Sequence, residues 1–418
     1  MKADLLVENI GVLATLAGPA PRTGAALREP GLVGEAAVAV AGGRVVFAGP
    51  ARGLPAVEAA QTLDAAGGAV VPGFVDPHTH LAFAGDRDEE IRRRLAGASY
   101  ADIAAAGGGI VRTVADTRAA SPAELERGIA QRLDEMLLQG TTTAEVKSGY
   151  GLETAAELRS LEAIRAAASA HPVTVVATFL GAHEVPPEHR SARERYLDLL
   201  VTEMIPEVAR RRLAAFCDVF CEEGVFSVAE SRRVLTAARD HGLKLRLHAD
   251  ELAPTGGAEL AAELRARSAD HLLFVSERGM RALAQAGCAA TLLPAAAFYL
   301  RLGRFAPARG LVDAGAAVAL ATDVNPGAGL SPSMPFAMAI GCFAMGLSLE
   351  EALAAATINA AYALGLEREV GSLEAGKRGD LVLLRSARLL DLLRVGAPVI
   401  RAVVKDGRVV VRDGRRVP

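Results

Sequence analysis

The sequence has no tryptophan, few other aromatic residues, and only four cysteines in 418 positions. Four cysteines are too few for the disulfide framework of a small secreted domain. Cys217 and Cys221 have a CxxxC spacing, but one such pair is a weak indication of a metal, and we expect both to be core thiols. No run of 18 apolar residues lacks a charge, so we expect no segment that spans a membrane.

Neither sign of charge is in excess, because 46 Lys and Arg residues are balanced by 49 Asp and Glu residues. Binding to nucleic acid or to an anionic membrane through surface charge needs a basic excess, so we exclude both as partners. Residues 1–10 carry three charged side chains and lack the apolar centre of a signal peptide, so we expect a cytoplasmic protein. Hydrophobic residues make up 51% of the chain, which is enough for a large core.

Both ends of the chain have β-strand patterns. Gly42 and Gly43 separate the apolar runs 36–40 and 45–48, which predicts a hairpin. Short apolar runs at 380–384, 399–404 and 409–411 predict further strands near the C-terminus. Neither end can bury a core alone, so we expect residues 1–68 and 366–418 to form one small composite β-sandwich.

The central part, residues 69–365, alternates short apolar runs with helical patterns, which is typical of βα units. Eight runs are strand candidates: 69–75, 142–146, 173–179, 217–221, 244–247, 269–275, 289–293 and 317–321. Four capping boxes predict helix starts, at Ser121 with Glu124, Thr154 with Glu157, Ser227 with Glu230, and Ser348 with Glu351. The sequence therefore predicts an α/β fold with a (β/α)8 barrel, and Gly107, Gly108 and Gly109 predict a mobile substrate loop in it.

Five of the eight histidines follow or end the predicted barrel strands, where barrel enzymes place their chemistry. His78 and His80 are two residues apart after the first strand, so both rings point to the same side. With His248 and Asp323 from other strands they form a set of three nitrogens and one oxygen. This set predicts a catalytic site for one divalent cation that leaves room for water.

Three further polar residues have open interpretations. His271 lies within a predicted strand, so it either is a satisfied core histidine or polarises a carbonyl at the site. Glu251 follows His248 by three residues and either shuttles protons beside the metal or is a surface carboxylate. Lys147 suggests a carboxylated lysine that bridges two metals, but it ends the second strand and not the fourth, so we favour one metal.

Nine stretches, in order along the chain, resemble the amidohydrolase superfamily and, more narrowly, its imidazolonepropionase family. They are HTHLAFAGDR (78–87), RRLAGASYADIAAAGGGI (93–110), EVKSGYGL (145–152), FLGAHEVP (179–186), DVFCEEGVFS (218–227), LHADEL (247–252), GGAELAAEL (256–264), SADH (268–271) and ATDVNPG (321–327). The resemblance implies hydrolysis of 4-imidazolone-5-propanoate to N-formimidoyl-L-glutamate by a homodimer that acts on this small molecule.

The resemblance also assigns residues. His78, His80, His248 and Asp323 would hold Zn or Fe. Substrate or product contacts would come from Arg87, Tyr150, His183, Glu251, Asn325 and Gly327. The family usually has Ser or Thr where this chain has Ala328, so a hydroxyl contact is lost there, although a backbone amide could serve.

For the mechanism we expect Arg87 and Tyr150 to bind the propionate. Asp323 is the first candidate to accept the proton of the attacking water and Glu251 the second, and Glu251 is also a candidate proton donor to the departing nitrogen. His271 or His183 would stabilise the oxyanion. Two alternatives stay open, a purine or pyrimidine deaminase of the same superfamily and a scaffold that has lost catalysis.

Overall fold

The structure, a computed structural model, describes residues 1–98 and 108–417. Gly107 of the predicted mobile loop lies outside these residues, so the mobility of that loop stays a prediction. None of the helices in the described ranges is long and apolar enough to cross a membrane.

Seventeen strands in the described residues form two sheets. They are β1 (Lys2–Ala14), β2 (Leu32–Ala41), β3 (Arg44–Pro50), β4 (Glu58–Asp64), β5 (Ala69–Pro72), β6 (Phe74–Asp76), β7 (Thr141–Lys147), β8 (Thr174–Ala182), β9 (Phe216–Cys221), β10 (Lys244–Ala249), β11 (Ser268–His271), β12 (Ala289–Leu292), β13 (Ala317–Leu320), β14 (Leu381–Leu384), β15 (Ile400–Lys405), β16 (Arg408–Arg412) and β17 (Arg415–Arg416).

The first sheet joins the two ends of the chain into a sandwich-like domain. Its strand order is β17-β16-β15-β14-β5-β1-β2-β3, with β4 paired to β1. The predicted hairpin is present as the antiparallel pair β2 and β3. Apolar side chains from both ends, such as Leu5 and Val38 with Leu381 and Val404, share one core. This confirms the predicted composite domain, because each end supplies only part of that core.

The second sheet is the barrel. Strands β6 to β13 are all parallel and follow one another in chain order. Its first and last strands are joined just beyond their ends, where the amide of Asp323 donates to the carbonyl of His78 at 3.1 Å and the amide of His80 to that of Val324 at 2.8 Å. These bonds bring the two ends of the sheet together, as a (β/α)8 barrel requires.

Two predicted strands have different bounds in the structure. The run 69–75 is divided at Gly73, so that β5 lies in the sandwich sheet and only β6 lies in the barrel. A side chain at Gly73 would overlap Thr142 on the neighbouring strand. The run 269–275 ends as a strand at His271, because His271 and Leu272 have φ of +75° and +62°. His271 therefore ends its strand and does not lie inside it.

Helices cover the outside of the barrel and the connections between its strands. The α-helices in the described residues are Asp88–Leu95, Ile110–Ala119, Pro122–Leu138, Thr154–Ala170, Arg193–Leu199, Ile205–Arg210, Val228–Asp240, Gly257–Glu263, Glu277–Ala286, Pro294–Tyr299, Ala308–Asp313, Met334–Met345, Leu349–Ala355 and Ile358–Leu364. Capping boxes are present at Ser121, Ser227 and Ser348, as predicted. The predicted box at Thr154 is wrong, because Thr154 is already helical and the Glu157 carboxylate binds amides of the preceding turn.

Candidate metal centre and active site

A pocket opens at the carboxyl ends of the barrel strands, where barrel enzymes place their active sites. The predicted site residues that line it are His80, Arg87, Tyr150, His183, His248, Glu251, His271, Asp323, Asn325, Gly327 and Ala328. His78 is fully buried beside this pocket. The barrel therefore brings together residues that are up to 250 positions apart in the chain.

The four predicted metal ligands meet at one point. The Nε2 atom of His80 lies 3.3 Å from Nε2 of His78 and 3.3 Å from Nε2 of His248. Oδ1 of Asp323 lies 3.7 Å from Nε2 of His78 and 3.5 Å from Nε2 of His80. All four side chains are almost completely buried.

These donor atoms fit a divalent cation. Imidazole nitrogens and a carboxylate oxygen are the ligands of catalytic zinc and of related metals. Within the described residues, Oδ1 of Asp323 is buried without a hydrogen-bond donor. Burial raises the pKa of Asp323 to about 8 in the protein without a metal, so ionising this group requires a nearby positive charge. A cation among the four side chains would supply that charge.

A buried carboxylate orients the first histidine. Nδ1 of His78 lies 2.6 Å from Oδ2 of Asp270, which also accepts a hydrogen bond from Arg246 at 2.9 Å. A carboxylate can only accept, so His78 carries its proton on Nδ1 and presents the lone pair of Nε2 to the metal site. The sequence reasoning noted Asp270 without giving it a role. Its signal was the charged Arg246 between Leu245 and Leu247 in a predicted barrel strand, since a buried charge must be paired.

A second network orients His248. Its Nδ1 atom lies 3.1 Å from Oδ2 of Asp218, and Asp218 lies 2.8 Å from Nζ of Lys147. Lys147 is also 2.8 Å from Oε1 of Glu145. Burial alone would lower the pKa of Lys147, but the carboxylates of Asp218 and Glu145 outweigh burial and raise it. Lys147 is therefore a charged ammonium that connects β7 with β9.

His271 and Glu251 face each other at the edge of the metal centre. Nδ1 of His271 lies 3.4 Å from Oε1 of Glu251, and the His271 ring is 5.1 Å from that of His248. Burial, together with the negative charges of Asp323 and Glu222, raises the pKa of Glu251 well above its ordinary value. Glu251 is thus neither a surface carboxylate nor remote from the ligands, and it is suited to hold a proton.

His183 and Tyr150 form the opposite wall. Nδ1 of His183 donates to the carbonyl oxygen of Gly149 at 2.9 Å, which leaves Nε2 with its lone pair. The His183 ring stacks on His80 with centroids 5.0 Å apart, and Tyr150 lies 5.2 Å from His183. Burial lowers the pKa of His183 to about 3, so this imidazole is neutral at physiological pH.

The cationic side of the pocket is built around Arg87. Its Nε atom donates to Oγ1 of Thr113 at 2.8 Å, and its guanidinium packs so closely on Gly327 that a side chain there would overlap Nη1. Arg94, which the sequence reasoning missed, also lines the pocket and donates to the carbonyl oxygen of Gly327 at 2.8 Å. Arg94 lies in the stretch 93–110 that resembles the family, but it is one of three successive arginines in a helix, and nothing in the sequence distinguishes it from the other two.

The turn after β13 is held by Asn325. Its Nδ2 atom donates to the carbonyl of Asp323 at 2.8 Å, and its Oδ1 atom accepts the amides of Gly327 at 2.9 Å and Ala328 at 2.7 Å. The Ala328 amide is therefore engaged within the turn and does not replace the missing hydroxyl. That Asn325, Gly327 and Ala328 contact substrate stays a prediction.

Comparison with known proteins identifies the family. Residues 87–411 match the model of the amidohydrolase family. The imidazolonepropionase of Symbiobacterium thermophilum is 53% identical over 99% of this chain and 98% of its own length. That of Geobacillus kaustophilus is 46% identical over 98% and 99%.

Solved structures share the fold at lower identity. An adenosine deaminase from Xanthomonas campestris with bound zinc matches with a TM-score of 0.73 and 20% identity over 100% of this chain and 94% of its own. The Escherichia coli guanine deaminase matches with a TM-score of 0.74 and 18% identity over 97% and 98%. These likenesses show the barrel fold, and the cluster of His and Asp side chains could hold a metal ion. The chain belongs to the amidohydrolase family and, within it, to the imidazolonepropionases, which are hydrolases.

Proposed function

We propose that this protein hydrolyses 4-imidazolone-5-propanoate to N-formimidoyl-L-glutamate in histidine degradation. The observation that carries the proposal is the position of Arg87, which lies in the same small pocket as the metal ligands. The substrate has one carboxylate arm and one cyclic amide, and the pocket offers a guanidinium and a metal centre to match them. Relatives of 43–53% identity over almost the full chain carry the name imidazolonepropionase. The deaminases are 18–20% identical, which supports only a shared fold.

We propose one divalent ion, Zn or Fe, held by His78, His80, His248 and Asp323. When bound, such an ion supplies Lewis-acid chemistry, which lowers the pKa of water to about 7 and stabilises negative charge on a carbonyl oxygen. A second ion bridged by a carboxylated Lys147 is disfavoured. The Nζ atom of Lys147 already lies 2.8 Å from the carboxylates of Glu145 and Asp218, and both would repel a negative carbamate there.

Substrate recognition is assigned to Arg87 and Tyr150. The guanidinium of Arg87 is fixed through Nε by Thr113, and within the described residues its Nη2 atom is buried without an acceptor. A substrate carboxylate supplies that acceptor in a charge-assisted hydrogen bond. The phenol of Tyr150, on the wall next to His183, adds a second donor. These contacts place the ring carbonyl toward the histidines.

Two carboxyl groups, those of Asp323 and Glu251, carry the proton transfers of the proposed reaction. Asp323 accepts the proton of the attacking water through its second carboxylate oxygen, since Oδ1 faces the ligand nitrogens. Nε2 of His271 is buried without a hydrogen-bond partner among the described residues, so it is the first candidate to stabilise the oxyanion. His183, the alternative from the sequence, presents the lone pair of Nε2 and would have to be protonated to act there. Glu251, whose pKa burial raises well above its ordinary value, donates to the departing ring nitrogen.

The test follows the loss of imidazolone absorbance and identifies the product by mass spectrometry. We expect ring opening by the parent, and no measurable turnover by Asp323→Ala. Arg87→Ala should lose about 10- to 100-fold in kcat/KM, mainly through KM, because a charge-assisted hydrogen bond contributes about 1.5–3 kcal/mol. Arg112→Ala is the control, since this exposed arginine pairs only with Asp116 on the surface among the described residues.

Three results would contradict the proposal. Release of ammonia without a ring-opened product would favour the deaminase. Parent-like turnover by Asp323→Ala would remove Asp323 from the mechanism. Purified protein without bound metal or turnover would favour a scaffold that has lost catalysis.

We also propose that the protein is a homodimer, on the basis of the family resemblance alone, and that it is cytoplasmic, as the sequence predicts. Light scattering on purified protein tests the oligomeric state, and we expect twice the mass of one chain. Fractionation of cells that express the protein tests the compartment.

A further inference from the structure

One buried carboxylate outside the pocket holds the turn that carries Tyr150. Glu157, on the helix Thr154–Ala170, is completely buried. Its Oε1 atom accepts the amides of Gly151 at 2.7 Å and Leu152 at 2.9 Å, and its Oε2 atom accepts the amide of Gly149 at 3.1 Å. No Lys or Arg in the described residues forms an ion pair with it. The three backbone N–H groups, together with the hydroxyl of Ser148, compensate the buried carboxylate.

The backbone of this turn is built to reach the carboxylate. Gly149 has φ of +111°, and a Cβ atom there would lie 2.8 Å from the carbonyl of Leu180. A Cβ atom at Gly151 would lie 2.5 Å from the amide nitrogen of Glu157. Leu152 itself has φ of +51°, which is unfavourable for a side-chain residue. The turn therefore needs both glycines and a compensating acceptor.

The same turn sets the geometry of the pocket wall. The carbonyl of Gly149 accepts the proton on Nδ1 of His183, and Tyr150 lies between the two glycines. We propose that Glu157 is a positioning residue, which gathers the amides of this turn and thereby fixes the tautomer of His183 and the place of Tyr150. The inference rests on the proposed function in so far as His183 and Tyr150 contact substrate.

The first test needs no substrate. Glu157→Gln keeps the size of the side chain but replaces one acceptor oxygen with an NH2 group, so at least one amide of the turn loses its partner. We expect faster hydrogen exchange in the peptide that covers residues 148–153. Glu351→Gln is the matched control, because Glu351 is also a buried carboxylate that accepts a backbone amide, that of Ser348, and lies on another helix. Unchanged exchange in Glu157→Gln would overturn the inference.

The second test links Glu157 to the reaction. We expect Glu157→Gln to lower kcat/KM about tenfold or more at unchanged metal content, while Glu351→Gln keeps the parent value. In the double variant with His183→Asn, the combined loss should be smaller than the product of the single losses, because both changes disable the same group. Losses that multiply, or an equal loss in Glu351→Gln, would refute a positioning role.

Two provisions keep the tests decisive. If Glu157→Gln does not fold, Glu157→Asp, which keeps the charge and shortens the side chain by one methylene group, replaces it in both tests with the same expectations. If the parent itself does not open imidazolone, the proposed function fails, whereas the exchange of residues 148–153 still decides whether Glu157 holds the turn.

Discussion

Replacing Asp218 with asparagine tests whether the buried charges around the ligands set the affinity for the metal. Oδ2 of Asp218 lies 3.1 Å from Nδ1 of His248 and 2.8 Å from Nζ of Lys147. The substitution keeps the shape of the side chain but removes the negative charge. Nδ1 of His248 then faces a neutral amide group instead of a carboxylate, and its Nε2 atom becomes a poorer ligand.

The expected size of the effect follows from these contacts. Loss of a partner that orients a ligating histidine typically costs about 10- to 100-fold in metal affinity, or about 1.4 to 2.7 kcal/mol. We expect the upper part of this range, because the positive charge of Lys147 is then only partly neutralised near a cation site. The fold keeps one ion pair, since Lys147 still lies 2.8 Å from Glu145.

Metal affinity is measured by competition with a chromophoric chelator at fixed pH. Asp380→Asn is the matched control, because Asp380 is a buried carboxylate that pairs with a buried lysine, Lys405, at 2.7 Å in the sandwich-like domain. We expect a lower Tm in both variants and a weaker metal Kd only in Asp218→Asn. A parent-like Kd in Asp218→Asn, or an equal loss in Asp380→Asn, would show that Asp218 does not act through His248.

Three further changes have defined outcomes. Gly327→Ala should raise KM about tenfold with little change in kcat, because the Cβ atom of the new alanine displaces the Arg87 guanidinium. An unchanged KM would show that Arg87 does not bind the substrate. Ala328→Ser should lower KM about two- to tenfold if a hydroxyl there gains a net hydrogen bond to substrate, and an unchanged or higher KM speaks against that contact. Burial lowers the pKa of His171 below its ordinary value of 6.5. Just below pH 6.5 the unfolded chain therefore binds a proton at His171 that the folded chain does not, so the free energy of unfolding decreases as the pH falls. His171→Asn should therefore flatten the decrease of Tm between about pH 7 and 5 in calorimetry, and an unaltered slope would contradict this assignment.

The barrel and its ligands could be predicted from the sequence because each is a local pattern. Alternating apolar runs indicate parallel strands, and the two-residue spacing of His78 and His80 puts both rings on one side. The positions of His248 and Asp323 follow from the rule that the ends of parallel strands meet at one face. The structure places all four ligands within this geometry.

Contacts that depend on tertiary packing could not be predicted. Glu157 fits the local pattern of a capping box with Thr154, but the three amides that it binds belong to a turn outside the helix. The run from residue 69 is continuous in sequence, yet the close approach of Gly73 to Thr142 marks where the chain passes from the sandwich to the barrel. In both cases the deciding partner is absent from the local pattern.

The proposed metal centre accounts for the type of reaction, whereas the rest of the pocket accounts for the choice of substrate. Three histidines and an aspartate at the end of a barrel would serve attack on many cyclic amides or amidines, so they do not select a substrate. Selection requires a group that recognises the rest of the molecule. Here the chain places Arg87 against Gly327, in the turn that begins only two residues after the ligand Asp323. The proposed recognition and ligation would thus be coupled through one short segment, and substitutions in residues 325–328 should change substrate preference before they change metal binding.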